Sequence, residues 1–377
     1  MNKWIRRISI WAVFIIVDLI VSCACLELWV RLFVPVKNVQ YILDDKIGVR
    51  FAPNQRTYGY IEDGYSNIFL TNSIGMHDVE RNLEKAANSY RIQVYGNSIA
   101  AGLGVRIEET ITSHLERFMN ESGRPRRIEV MNMACGGDGT PSQILTYEEI
   151  GRRFSPDLVV CLFTDDFADN IVETHHRDWS PHYDFNEAGE LRFIPPKALC
   201  LAALVEQLKW KSLFCRQIST RFFESNPYED QVPARNRNLF FPSVVRWFEP
   251  DEYRKEICLQ KALPVTLDLV KRFKYTVEKD GALFLVIDGF RFREKYVGTA
   301  FRNNDFEQFC RANSIVYIPA YQRIMELWNS PRFHFRDLHL NSEGNLQAAY
   351  FAAAQLMKKL PEIAPDRFAP PIRFRRN

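Results

Sequence analysis

The sequence predicts an α/β protein: a three-layer α/β/α sandwich on a parallel sheet of about five strands, preceded by one transmembrane helix. Three observations carry this. From residue 91 onward, short aliphatic runs alternate with longer segments of helical periodicity, the rhythm of a parallel sheet with crossover helices. One run, Asp157–Thr164, is continuously apolar inside its ends, as a strand covered on both faces must be. The chain also opens with a nearly unbroken apolar stretch, Ile8–Leu26, behind Lys3, Arg6 and Arg7.

That stretch is close to the ~20 residues a helix needs to cross a bilayer. Its cationic flank predicts the first residues in the cytoplasm and the remainder outside. Asp18 costs roughly 2.5–3.5 kcal/mol on insertion scales, which the surrounding Ile, Val, Phe and Trp offset. Three readings compete: an uncleaved signal anchor, a lipoprotein site at Cys23 after Ile20-Val21-Ser22, and a cleaved signal peptide. The last two call for a polar continuation. The chain instead stays apolar through Leu26, Leu28, Trp29, Val30, Leu32 and Phe33, so the signal anchor fits best. The expected location is the cytoplasmic (inner) membrane, single-pass, with the domain on the extracytoplasmic, periplasmic side.

The expected organisation is a cytoplasmic tip and anchor over 1–27, a juxtamembrane segment over 28–88, a domain over 89–360 and a basic tail over 361–377. Pro35, Pro53-Asn54 and Asp63-Gly64 punctuate the juxtamembrane segment into short strands and turns. Within the domain, Arg91–Tyr95 is a strand. Glu108–Met119 is a helix with Ile111, Leu115 and Phe118 on one face. Arg127–Met133 is the second strand. Thr140-Pro141 opens a helix, with Thr as N-cap and Pro in the first turn. Asp157–Thr164 is the third strand, Pro264–Lys279 a helix, Ala282–Ile287 and Ile315–Ile318 the last strands, and Ser342–Lys359 the last helix. The stretch 171–256 interrupts this rhythm. It is rich in aromatics and prolines, with an amphipathic helix expected at Ala198–Leu213, and reads equally as a lid or as a structural flap.

Composition excludes little. With 377 residues, 46% hydrophobic, the chain can bury one large core or two small ones. A net charge of +3 gives no basic excess calling for nucleic acid, and the arginines of 367–376 read as a solvated tail. The eight cysteines form no CxxC and no zinc spacing; Cys161 reads as a buried thiol, and Cys200 with Cys215 as a pair that an oxidising compartment could join. His175-His176 beside Asp178 lack a third ligand at helical spacing. No metal and no cofactor is expected.

Four chemistry-bearing features fall at strand ends: Ser98 after the first strand, Gly136-Gly137-Asp138-Gly139 after the second, Asp165-Asp166 after the third, and Asp337-Leu338-His339 before the last helix. In a parallel sheet these converge on one rim. A serine hydroxyl becomes a nucleophile when a histidine takes its proton and a carboxylate orients that histidine. Asp337 and His339, two apart, share a side of an extended segment. A glycine-rich turn exposes N–H groups to a developing oxyanion, and Ser98, opening a helix, adds its own N–H and a favourable dipole end. Each feature alone is common, and a lone histidine is more often structural.

Together, "VYGNSIAAGLGV", "VMNMACGGDGT", "LFTDDFADN" and "RDLHLNSEGN" resemble, in order and position, the four sequence blocks of the SGNH hydrolase superfamily, the GDSL-type esterases, over about residues 89–360. The anchor, "LELWVRLFVP" after it and "NSIGMHDVE" upstream of the first block resemble the membrane-attached branch of that superfamily. The resemblance implies a flavodoxin-like sheet, Ser98 as nucleophile, His339 as base and Asp337 as its orienting acid. It implies an oxyanion hole made by the N–H groups of Ser98 and Gly137 and by the third-block position, Asp165.

Two positions depart from the pattern. The third block of the superfamily carries Asn where this chain has Asp165. An ionised carboxylate about 3.5 Å from an oxyanion repels it by roughly 5 kcal/mol at an effective dielectric of ~20, more than the roughly 3–4 kcal/mol a donor there contributes. A protonated carboxyl would donate, and burial in an apolar site favours that form; a third arrangement turns Asp165 away and leaves the site degenerate. Asn97 replaces the first-block aspartate, a milder change because both side chains order a turn.

The expected function is therefore a membrane-anchored extracytoplasmic serine esterase or O-acyltransferase, acting through an acyl-enzyme on Ser98 upon an acylated surface glycan or lipid. A transferase would also need a multi-pass partner delivering its acyl donor. The alternative is a catalytically degenerate binding or scaffold protein of a cell-envelope modification system, which Asp165 favours.

Overall fold

The computed structural model describes residues 3–33, 39–62, 65–121, 126–163, 169–171, 180–196, 208, 212, 214–215, 258–289, 303–335 and 339–360. The chain divides into two units: Met1–Lys37 with Leu204–Phe248, and Asn38–Ala203 with Glu249–Asn377.

The first unit is built on α1 (Lys3–Phe33). Its apolar span, Ser9–Val30, is 22 residues long and exposed from Ser9 through Leu26, so the helix is long and apolar enough to cross a membrane. It runs past Leu26 because the apolar sequence does. Near its end, Glu27 Oε2 accepts hydrogen bonds from Ser212 Oγ (2.8 Å) and the Phe214 N–H (3.0 Å), both from the 171–256 insertion.

The second unit holds a five-stranded sheet. Its strands are β5 (Ser89–Tyr95), β6 (Arg127–Asn132), β7 (Leu158–Phe163), β10 (Leu283–Asp288) and β11 (Val316–Pro319), ordered β11-β10-β7-β5-β6. Every pairing is parallel. Numbered along the chain, the order is 2-1-3-4-5, the flavodoxin-like arrangement. Strand alternation splits β7 between two cores. Leu158, Val160 and Leu162 face α3 (Ile111–Asn120), α7 (Tyr321–Trp328) and α8 (Ser342–Lys359). Val159, Cys161 and Phe163 face α4 (Thr140–Glu149), α5 (Leu263–Lys279) and α6 (Asn303–Ala312). Both faces are buried, which is why the run contains no polar residue.

Three expectations need correction. The stretch 28–88 is not a separate segment: the second unit starts at Asn38. Hairpins β1 (Tyr41–Asp44)/β2 (Gly48–Phe51) and β3 (Arg56–Glu62)/β4 (Tyr65–Leu70) deliver Phe51 and Phe69 into the core that holds Ile92 and Val94. The expected helix 108–119 breaks at Thr110, whose extended backbone and Oγ1, accepting the Ser113 N–H, make it the N-cap of α3. Thr140 is inside α4 rather than its cap; Gly139 holds the cap position, and Asn170 Oδ1 accepts the Thr140 N–H at 2.8 Å. The insertion contributes a hairpin, β8 (His182–Phe185) and β9 (Leu191–Ile194), whose Tyr183 is buried beside α5, under the guanidinium of Arg272. Of the expected helix 198–213, only Leu208 and Ser212 lie among the described residues.

Candidate active site

Ser98 opens α2 (Ser98–Ala101), three residues beyond the end of β5. The strand-to-helix turn is tight. A Cβ on Gly96 would fall 2.7 Å from the Ala100 Cβ and 3.0 Å from the Leu162 carbonyl oxygen. Asn97 caps the turn, its Oδ1 accepting the Ile99 N–H at 3.1 Å, so the amide supplies the acceptor an aspartate would. Gly102 ends it with φ +71°. At four residues, α2 is one turn, too short for the dipole expected of a full helix.

The second component arrives from the far end of the chain. Residues 333–335 lie antiparallel to residues 339–341: the Phe335 N–H donates to the His339 carbonyl (2.8 Å), the Asn341 N–H to the Phe333 carbonyl (3.1 Å), and His334 bridges Leu340. Asn341 caps α8, accepting the Gly344 N–H at 3.0 Å. This loop sets His339 Nε2 2.8 Å from Ser98 Oγ, both side chains half-buried. With the ring hydrogen on Nδ1, Nε2 accepts the Ser98 hydroxyl proton, the contact a general base needs.

The third component is the turn after β6. The Asp138 N–H donates to the Cys135 carbonyl at 3.4 Å, and Gly137 has φ +81° at the third position, where a side chain would be strained. Gly137 is exposed, while a Cβ on Gly136 would meet the Tyr41 hydroxyl at 3.0 Å. The neighbouring thiol is no rival nucleophile: burial, and then Asp138, push the Cys135 thiol well up. The chain leaves β5 for β6 on one side and reaches β7 on the other, so Ser98 stands at the point where strand order reverses, where open α/β sheets bind ligands.

Of the expected site residues, Ser98 and His339 are brought together, and Gly137 lies in the turn beyond the adjacent strand. Asp337, Asp165 and Asp166 lie outside the described residues, as do His175, His176, Asp178 and Cys200. Cys215 carries a free thiol. Among the described residues no group of three His, Cys, Asp or Glu side chains is placed to hold a metal. Two asparagines escaped sequence reasoning: Asn132, at the end of β6, and Asn170. Each lies inside a block already singled out, as a polar residue at or beyond the end of a strand, the available signal.

No family model and no curated protein matches the sequence. Among solved structures, the chain resembles a lipase/acylhydrolase from Enterococcus faecalis (12% identity, 74% of this chain and 99% of that one, TM-score 0.39). It also resembles the psychrotrophic esterase EstA from Pseudoalteromonas sp. (9%, 72% and 98%, 0.39). A GDSL-like lipase from Bacteroides thetaiotaomicron is a third (12%, 72% and 89%, 0.35). The proteins resembled are lipases and esterases, one of them GDSL-like by name.

Proposed function

We propose that this chain is a serine esterase or O-acyltransferase of the SGNH type, held to the inner membrane by α1 with its domain outside. The observation that carries the reading is the 2.8 Å contact between Ser98 Oγ and His339 Nε2 at the sheet's switch point. In the proposed reaction, Oγ attacks the ester carbonyl as Nε2 takes its proton. The tetrahedral oxyanion takes N–H bonds from Ser98 and Gly137. Collapse expels the alcohol, which leaves with the proton from His339, and the acyl group remains on Oγ. Water or a sugar hydroxyl then attacks that acyl-enzyme by the same steps reversed, so hydrolysis and transfer differ only in the second hydroxyl. Asp337 is assigned to orient His339, and Asp165 to the third oxyanion position.

The exposed apolar span of α1 behind Lys3, Arg6 and Arg7 supports the membrane assignment and its orientation. The proposed substrate, an acylated glycan or lipid of the cell surface, follows from that location and the family resemblance; transfer would draw on a multi-pass partner for the acyl donor. The test is intact mass after exposure of the full chain, in detergent, to a small fluorophosphonate. Wild type gains one adduct, Ser98→Ala and His339→Ala gain none, and Asp165→Asn labels at least as fast as wild type. An unlabelled wild type beside a labelled Asp165→Asn would instead favour the degenerate binding protein. No labelling of wild type or of Asp165→Asn would reject the nucleophile.

A further inference from the structure

In the segment "NSIGMHDVE", upstream of the first block, Gly75–Asp78 are buried while Ser73, Val79 and Glu80 are exposed. His77 and Asp78 are nearly inaccessible, and Asn132, the last residue of β6, is wholly so. The Asn132 side chain is saturated by main-chain atoms of three segments. Nδ2 donates to the carbonyls of His77 and Ala101, both at 3.3 Å, and Oδ1 accepts the Ala134 N–H at 3.2 Å. Its own backbone N–H donates to Asp78 Oδ2 at 3.2 Å. The reversed amide would set Oδ1 against two carbonyl oxygens, so the partners themselves dictate the orientation.

Two of these segments are ones a serine esterase must hold in register. Ala101 ends the one-turn helix that Ser98 begins. Ala134 stands two residues before Gly136-Gly137. His77 continues the brace, its ring reaching the carbonyls of Leu70 (2.7 Å) and of Val105, just beyond the Ser98 turn (3.1 Å). Asp78 is clamped in turn by Arg81, which also reaches the Val130 carbonyl of β6 and Glu116 of α3.

We infer that Asn132 is a positioning residue for the acyl-transfer site: it sets the spacing between the nucleophile turn and the glycine turn that receives the oxyanion, with His77 and Asp78 as its backing. The inference rests on the esterase reading of Ser98. An attacking oxygen and an N–H donor act on the same carbonyl, so a shift of either turn along the sheet misaligns both, and misplacement of about 1 Å costs on the order of 10²-fold in rate. A polar side chain serving only the core would affect stability and nothing else.

The two roles separate in the kinetics of fluorophosphonate labelling at Ser98, measured on the full chain as limiting rate and half-saturating concentration across pH 5.5–8.5. Asn132→Asp keeps the acceptor for the Ala134 N–H and loses both donors. Buried beside Asp78, the introduced carboxyl regains one donor when protonated. The expected result at pH 8 is a limiting rate about 10- to 100-fold below wild type with unchanged half-saturation, the ratio to wild type recovering as pH falls. Asn132→Ala falls as far and does not recover. Phe118→Leu, a core substitution in α3, lowers the melting temperature and leaves the limiting rate alone. Labelling of Asn132→Asp at the wild-type rate, or a slowing in all three variants that simply tracks melting temperature, overturns the inference while leaving the esterase reading standing. A wild type that does not label overturns both.

Discussion

Phe335 lies with its ring edge against Gly104, so close that a Cβ on that glycine would fall 2.8 Å from Cε2. Gly104 follows the Ser98 turn, and the Phe335 N–H donates to the carbonyl of His339. The ring therefore sets how near the histidine loop approaches the nucleophile. Gly104→Ala would both strain a backbone at φ +94° and push the ring outward. Strain at positive φ costs on the order of 1–3 kcal/mol. The displaced loop should slow Ser98 labelling by more than about tenfold. Gly189→Ala is the control, with φ +77° and nothing within 4 Å: strain without displacement. Thermal denaturation should register both variants and labelling only the first; equal labelling of the two would show that Phe335 transmits nothing.

A second expectation concerns Arg91, among the largest fully buried side chains. Its guanidinium donates to Glu129 Oε2 (2.9 Å from Nε) and to the carbonyls of Leu83 (3.0 Å) and Phe154 (2.6 Å), pinning the start of β5 to the loops on either side. Removing one partner of a buried pair leaves the other uncompensated, at about 3–5 kcal/mol. Arg91→Met should lose that much in urea denaturation. Arg91→Met with Glu129→Gln should recover part of it, because the orphaned carboxylate is gone; a double variant no better than the single would show that the carbonyl contacts dominate.

The buried histidines make stability depend on pH. Burial holds the His77 imidazole below the ordinary 6.5, against the raising effect of the Leu70 and Val105 carbonyls, and burial, with Arg117, lowers that of His114. The unfolded chain then binds protons near pH 6.5 that the folded chain does not. Their contribution is complete above that pH and is lost as pH falls below it. The melting temperature should decline from pH 7.5 to pH 5.5, and His77→Gln, though less stable throughout, should decline less steeply. Parallel curves would remove His77 as a cause.

What the sequence makes legible follows from how local the physics is. The strand β7 is readable because burial on both faces writes itself as an unbroken apolar run, and α8, read as Ser342–Lys359, has those same ends in the structure. The hairpins β1–β4 are not readable as part of the domain. Phe51 and Phe69 look like isolated aromatics until they are seen edge to face in the same core as Ile92 and Val94, tens of residues away. Thr140 has every mark of an N-cap, yet Asn170, thirty residues on, supplies the acceptor. At the site, Ser98 and His339 are legible because their roles are tied to turns with recognisable composition. Asn132 is not, since a polar residue in an apolar strand signals that partners exist without saying which backbone atoms they are.

The core also contains room that a substitution can use. A cavity of about 30 Å³ lies behind Ile99, bounded by Val94, Val160, Leu162, Ile287 and Trp328 and lined wholly by carbon. Such a space is dry and costs lost dispersion contacts. Filling it is worth roughly 0.7 kcal/mol at ~24 cal/mol per Å³, close to the ~0.8 kcal/mol of one buried methylene. Val160→Ile adds that methylene on a strand, where a β-branched side chain is favoured, and should raise the melting temperature by about 1–3 °C. Val159→Ile adds the same group to the opposite face, where Phe163, Phe273 and Phe284 belong to the same packed core, and should destabilise by about 1–3 kcal/mol. Melting temperatures of the pair decide the matter. Opposite signs locate the void on the α3, α7 and α8 side of the sheet; a loss in both variants would mean that the cavity closes in solution and offers no space to fill.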